Sequence, residues 1–217
     1  MKHRRVPRLT VVILAAGFST RLGSPKALVR VRGESLLRRT ARLAAALQPR
    51  TLVIVAPPRA PRYRRELRGL AVQLVVNRAR ASGLASSVCA GMHSARGSGG
   101  VLFLPVDLAK LQLGELVHLV ERWCAAPRRA VARRIAGTSR GGIPLLLPKS
   151  LHGAARLATG DVGLRDVLGR LPQSAFVLLD LPSAGDDVDT PADLACVRRV
   201  RFRSTATARG GTRRRFR

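Results

Sequence analysis

Apolar positions along the chain fall into short unbroken runs, separated by stretches in which they recur every three or four residues. Leu9–Ala15 is one such run, closed by Gly17, and Thr51–Ala56, Ala71–Val76 and Val101–Val106 repeat it. Four to eight apolar residues bounded by turn residues fit a strand buried on both faces. Helical patterns lie between the runs. Glu34–Leu47 puts Leu36, Leu37, Leu43 and Leu47 on one side. A short helix near Tyr63–Leu67 follows a turn at Pro57, Pro58 and Pro61, and Gly83–Ser94 and Leu113–Cys124 complete the series. Strand and helix alternate four times in the first 125 residues. That order predicts an α/β, Rossmann-like fold: a mostly parallel sheet with helices on both faces.

The pattern loosens beyond residue 125. It predicts an Arg-rich strand over Arg129–Ile135, a turn at Gly141-Gly142-Ile143-Pro144, and an apolar Leu145–Leu147. Short helices near Lys149–Leu157 and Val162–Leu168, a strand over Ala175–Leu181 and a helix from Pro191 follow. Thr190 ahead of Pro191 is a helix start, an N-cap hydroxyl followed by a residue with no N–H to leave unpaired. No periodicity continues past Arg198. The expected organisation is a basic leader (1–8), a single domain (9–200) and a flexible Arg-rich tail (201–217).

Composition narrows the classes. A chain of 217 residues is about one domain, and 46% hydrophobic with 24% charged residues excludes a disordered chain. Aromatics are 3%, so the core must be built from Leu, Val and Ala. The stacking platforms of RNA and single-strand modules are scarce. No apolar run approaches the ~18 residues of a membrane helix. Cys89, Cys124 and Cys196 form no C-x-x-C pair, which argues against a disulfide framework or a zinc site and fits a cytoplasmic, reducing location. A basic segment before an apolar run also resembles a short signal peptide, but the loop that follows has chemistry of its own.

Charge changes the picture more. Forty Lys and Arg against 12 Asp and Glu give +28. The leader holds four basic residues and no acid, and residues 198–217 hold nine Arg and no acid, leaving 27 basic and 12 acidic residues between them. Such a chain favours polyanions: nucleic acid, anionic membrane or phosphorylated metabolites. A compositional bias toward Arg, Ala, Gly and Pro accounts for most of the excess equally well. No nucleic-acid motif accompanies it, so specific nucleic-acid or membrane binding is not expected.

In open α/β sheets ligands bind beyond the carboxyl ends of the strands. Two such ends carry chemistry here. The first is the loop Leu14-Ala15-Ala16-Gly17-Phe18-Ser19-Thr20-Arg21-Leu22-Gly23-Ser24-Pro25-Lys26. Small residues let backbone N–H groups approach a ligand, and Arg21 and Lys26 add two cations, a combination suited to a polyphosphate. The spacing is neither a P-loop nor G-x-G-x-x-G. The second is Asp107, at the end of the fourth strand. Each feature alone also has a plainer explanation, a Gly-rich turn with surface cations or an Asp capping the next turn.

Taken whole, the loop resembles the L-A-A/G-G-x-S-x-R-x-G-x-x-K signature of the MobA-like and MocA-like nucleotidyltransferases, and most of all their molybdenum cofactor cytidylyltransferase branch. Further segments match in order over residues 10–197. Asn77, Gly83 and Ser87 resemble N-x5-G-x3-S, and LFLPVDL with Asp107 resembles V-L-L-P-x-D. Asp187-Val188-Asp189-Thr190-Pro191-Ala192-Asp193-Leu194 is similar to D-I-D-T-P-E-D-L. Gly141–Pro148 and Thr159–Arg165 resemble the acceptor-side segments G-x-P-x-x-F-P and G-D-x-G-A-R, departing from them at Ile143, Leu147 and Leu164.

The resemblance implies the nucleotide-diphospho-sugar transferase type of fold, and transfer of CMP from CTP to the phosphate of molybdopterin with release of pyrophosphate. It implies nucleotide binding by Leu14, Ala15, Ala16, Gly17, Ser19, Arg21, Gly23, Lys26, Asn77, Gly83, Ser87 and Asp107. Acceptor binding falls to Gly142, Pro144, Gly160, Asp161 and Arg165. Mg2+ is expected on Asp107 and Asp189, with Asp187 a weaker candidate, and Arg21, Lys26, Asp107 and Asp189 carry the catalysis. A molybdoenzyme or its chaperone is the implied partner. GTP as donor, or a sugar phosphate or phospholactate as acceptor, fits the first loop equally well, and a polyanion-binding protein is the non-enzyme alternative. His3, His93, His118 and His152 pair with no Ser or Cys motif and are read as structural or solvated.

Overall fold

The computed structural model of the protein describes residues 8–158, 160, 164–169, 171–184 and 187–199. The predicted leader (save Arg8), the predicted tail and Asp161 lie outside the described residues.

Strand β1 (Leu9–Leu14) is buried along its whole length and pairs in parallel with β4 (Thr51–Ala56) and β6 (Gly100–Pro105). β5 (Gln73–Val76) extends the parallel set beside β4. On the other side β8 (Gly141–Pro148) runs antiparallel to β6 and to β7 (Ala130–Arg134), and β9 (Phe176–Leu179) closes the sheet parallel to β7. The seven-stranded order is β5-β4-β1-β6-β8-β7-β9. A two-stranded hairpin, β2 (Arg30–Val31) and β3 (Glu34–Ser35), stands apart and was not foreseen.

Alternation along β1 divides the core. Leu9, Val11 and Ile13 pack with α1 (Leu36–Ala46), Tyr63 of α2 (Pro61–Glu66), α4 (Leu113–Ala125) and Val197 of α7 (Pro191–Arg199). Val12 and Leu14 face the other way, onto Val88 and Met92 of α3 (Leu84–Ser94), Ala155 of α5 (His152–Arg156), and Leu164 and Leu168 of α6 (Leu164–Gly169). Both sheet faces are therefore covered, as unbroken apolar strands require. Gly91 of α3 sits so close to Val12 that an added Cβ would overlap the valine side chain, so glycine sets how near helix and sheet approach.

One expectation needs correction. Gly141–Pro144, read as a turn, is the first half of β8. Glycine and proline weaken a strand in isolation, but this half is anchored at both of its ends by partner strands. β6 pairs with β8 from Leu145 on, and β7 pairs with Gly141 and Gly142 past a register shift between Ala132 and Arg133. Long-range pairing overrides the local breaker signal. Among the described residues no helix is long and apolar enough to cross a membrane.

Candidate active site

The order of the strands brings the loop after β1 beside the loop after β6. Asp107 opens that second loop, and backbone pairing ties a distant segment to it. Leu108 bridges Asp187, and the Val188 N–H donates to the Asp107 carbonyl at 3.1 Å. Side chains brace the same junction. Arg39 donates from α1 to the carbonyls of Ala109 and Leu111 (2.8 and 2.9 Å), and Glu115 accepts from the Ser183 N–H at 2.9 Å. Asp193 accepts from the backbone N–H groups of Asp189 and Thr190 and from the Thr190 hydroxyl, which fixes the turn that carries Asp189. Those hydrogen bonds hold the Asp193 carboxyl below its ordinary pKa.

Asp107 and Asp189, 82 residues apart in sequence, meet at one amine. Lys26 Nζ donates to Asp107 Oδ2 at 3.1 Å and to Asp189 Oδ1. Arg21 Nη1 lies 3.4 Å from Asp189 Oδ2. Partial burial pulls the Lys26 ammonium down, but its bonds to Asp189 and Asp107 outweigh that and hold its pKa above the ordinary lysine value. Asp187 stands beside the pair. Loss of hydration and the like charge of Asp107 push its pKa up to about 6. Its residue surface stays exposed, so the like charge is the firmer of the two causes.

A cleft of about 680 Å³ opens over this junction. Leu14, Ala15, Ala16, Gly17, Ser19, Arg21, Lys26, Gly83, Ser87, Asp107, Gly142, Asp187 and Asp189 all line it. An added Cβ at Gly17 would meet no protein atom within 4 Å, so the chain's own packing does not demand glycine there. The Tyr63 hydroxyl donates to the Ala15 carbonyl at 3.0 Å, and burial pushes this phenol up to about 12, so it stays a donor. Ser19 adopts a left-handed φ of 56° and accepts the Lys26 N–H at 3.0 Å, which folds the loop back and delivers the lysine.

Several expected residues stand elsewhere. Asn77 is buried behind the cleft wall. Its Nδ2 donates to the hydroxyls of Ser86 and Ser87 (2.8 and 3.0 Å), and its Oδ1 accepts the Ala79 N–H at 2.9 Å. It ties the end of β5 to the start of α3. Gly23 (φ 68°) ends a short 3-10 turn and does not itself line the cleft. Pro144 does not line the cleft, and Gly160 gives its carbonyl to the Ala85 N–H at 3.1 Å. Asp161 and the side chain of Arg165 lie outside the described residues. Conversely Phe18, Arg80 and Arg133 line the cleft without having been expected there. Arg80 sits inside the matched Asn77–Gly83 segment, so position within the motif was the available signal.

Among the described residues no three His, Cys, Asp or Glu cluster as a metal cage. Two carboxylates beside a polyphosphate-sized cleft nonetheless suit a hard divalent cation, which completes its shell with phosphate oxygens and water.

Residues 11–175 match the family model described as the MobA-like NTP transferase domain. The chain belongs to the MobA-like NTP transferase family. A Rhodopirellula baltica protein named "Probable molybdenum cofactor guanylyltransferase" is 33% identical to this MobA-like chain over 89% of it and 93% of the relative. The crystal structure of Rv0371c from Mycobacterium tuberculosis H37Rv superposes with a TM-score of 0.70 at 25% identity, covering 88% of this chain and 98% of that one. A manganese complex of Rv0371c has the same fold as this chain, with a TM-score of 0.68 at 22% identity, covering 88% and 97%. The MobA-like fold is thus matched along nearly the whole length of both chains.

Proposed function

We propose that this MobA-like protein transfers CMP from CTP to the phosphate of a molybdopterin-type acceptor and releases pyrophosphate. The observation that carries the reading is the meeting of Lys26, Asp107 and Asp189 at the mouth of a glycine-bearing loop.

The acceptor phosphate is already an anion near neutral pH, so the reaction needs neither a protein nucleophile nor a strong base. The barrier is repulsion between that phosphate and the triphosphate. Two unit charges ~4 Å apart cost about 4 kcal/mol at an effective dielectric of 20. Catalysis is then positioning and charge neutralisation. A divalent ion, Mg2+ in this reading, held by Asp107 and Asp189, supplies charge neutralisation at the α-phosphate when bound. Lys26 has three N–H donors and can serve both carboxylates and a phosphate oxygen together. Arg21, exposed and pairing with Asp189, is free to swing onto the departing pyrophosphate. Backbone N–H groups near Gly17 cradle the phosphates, and the open space beside that glycine supports the assignment. Gly142 lines the opposite wall, where the acceptor enters, and Arg165 pairs with the acceptor phosphate. Arg133 also lines that wall, and its charge acts on Asp187.

GTP is the second reading for the donor, favoured by the name of the Rhodopirellula relative. Pyrophosphate release from CTP or GTP in the presence of molybdopterin decides between them. CTP should be turned over at least 10-fold faster. Faster turnover of GTP replaces the donor, and no release from either nucleotide removes the reaction. A molybdoenzyme or its chaperone as recipient, and a cytoplasmic location, complete the reading.

A further inference from the structure

The cleft has a pole that phosphate chemistry does not use. In the strand order β5-β4-β1-β6-β8, Asp107 follows β6, on one side of β1. The segment after β5, which carries Arg80, Gly83 and Leu84, reaches the cleft from the other side. Phosphates and their counter-charges belong with Lys26 and Asp107. The remainder of a nucleotide is left with the β4–β5 side.

That side holds an uncommon pair. Phe18 is 59% exposed, and among the described residues it is the one aromatic side chain on the cleft wall. Leu84, also exposed, lines the same end. The Arg80 guanidinium lies 3.9 Å from the centre of the Phe18 ring, close enough for cation–π attraction, and its Nη2 donates to the Gly17 carbonyl at 3.1 Å. Arg80 Nε is buried with no acceptor. A buried, unserved N–H is a cost to the fold and asks for another explanation. In a chain with 3% aromatics, an exposed phenylalanine next to an exposed leucine at the lip of a nucleotide-sized cleft puts a flat apolar face where a ligand can reach it.

We infer that Phe18, backed by Arg80, is a stacking platform for the base of the donor nucleotide. The inference rests on the nucleotidyltransferase reading above and adds where the base lies and how it is held. A flat aromatic face receives the base, and the guanidinium behind it keeps the ring upright and anchored to the Gly17 backbone. Such a platform supplies affinity with little base selectivity, since every base has a π-face. It therefore leaves the choice between cytosine and guanine to other contacts.

Calorimetric titration of the full chain with Mg2+ and three ligands, CTP, GTP and inorganic tripolyphosphate, tests this. Phe18→Ala should bind CTP and GTP about 10-fold more weakly, with tripolyphosphate affinity within about 2-fold of wild type. Phe18→Trp should restore nucleotide binding. Arg80→Lys keeps the charge but not the flat stack, and should weaken both nucleotides by a smaller factor. Equal loss of all three ligands would mean that Phe18 only shapes the phosphate loop. Loss confined to one nucleotide would mean an edge contact. Unchanged affinities would mean no contact at all. Each of these three results overturns the platform. A wild-type chain that binds tripolyphosphate but neither nucleotide removes the nucleotidyltransferase reading itself, an outcome visible before any variant is made.

Discussion

The two walls of the cleft are built differently. The wall from β1, β4 and β5 comes from strands and helices that follow one another in sequence, paired in parallel. Its loops are tied at close intervals: Tyr63 to Ala15, Arg80 to Gly17, Ser19 to Lys26, and Asn77 to Ser86 and Ser87. The wall from β8, β7 and β9 depends on an antiparallel strand with a register shift beside it, followed by helices of five and six residues. A donor nucleotide carries the same triphosphate whatever its base, so a fixed cradle suits it. In the proposed reaction the less regular wall is the one assigned to the acceptor, the part with more chemical variety.

The largest expected effect lies at the seam between the walls. Asp107→Asn and Asp189→Asn should each lower pyrophosphate release by about 10^2–10^3-fold or more, a loss like that of a preorganised electrostatic group. Circular dichroism and the melting temperature should stay near wild type, because each variant leaves Lys26 one carboxylate. Wild-type-like turnover in either variant would remove the carboxylate pair from the mechanism.

Two glycines of the first wall separate packing from binding. Gly91→Ala forces a methyl against Val12 in β1 and should cost about 1–3 kcal/mol, a fall of several degrees in Tm. Gly17→Ala meets no protein atom and should leave Tm unchanged while weakening nucleotide binding. Thermal melts with and without CTP measure both. The opposite pattern would exchange the roles of the two residues.

How legible each wall was follows the same division. The four parallel strands could be expected because short contiguous segments announce them: an apolar run closed by a glycine or by a charged residue at a strand's end. The meeting of Asp107 with Asp189, 82 positions apart, was expected only from the resemblance of their two segments to those of the family. β8 was misread at Gly141–Pro144 because its strand character there comes from pairing with β7 and from continuity with the half of β8 that β6 holds, partners that local sequence does not reveal. Asn77 was expected at the nucleotide. A buried amide with three hydrogen bonds looks the same in sequence as one that touches a ligand. Phe18 and Arg80 were passed over because their pairing spans 62 positions and fits no periodic pattern.

Asn77→Ala sharpens that last distinction. It leaves two hydroxyls and a backbone N–H without their partner and should cost about 1–3 kcal/mol of stability. As an organiser of the α3 start it should raise the KM for nucleotide only a few-fold and leave kcat alone. A large fall in kcat would put Asn77 in contact with the reacting groups after all.

The smallest effect concerns the second wall alone. His152 of α5 is buried, and its Nε2 bonds to the Leu147 carbonyl of β8 at 3.3 Å. Burial lowers its pKa most. The Leu147 carbonyl opposes this, Arg156 and Lys149 add to it, and the net value lies below the ordinary 6.5. In the unfolded chain this histidine titrates near 6.5, so between that pH and the folded value the unfolded state binds more protons. Stability from this group is therefore complete above about pH 6.5 and is lost as pH falls through the folded pKa, at no more than about 1.4 kcal/mol per pH unit. His152→Gln keeps a hydrogen-bonding side chain but cannot titrate, so its Tm should fall less than that of wild type between pH 7.5 and 5. Amide exchange locates the effect. In acid the β8 and α5 amides should open faster in wild type than in the variant, while those of β1 and β4 should respond equally in both. Equal acid sensitivity of the two walls would mean that His152 does not set the difference between them.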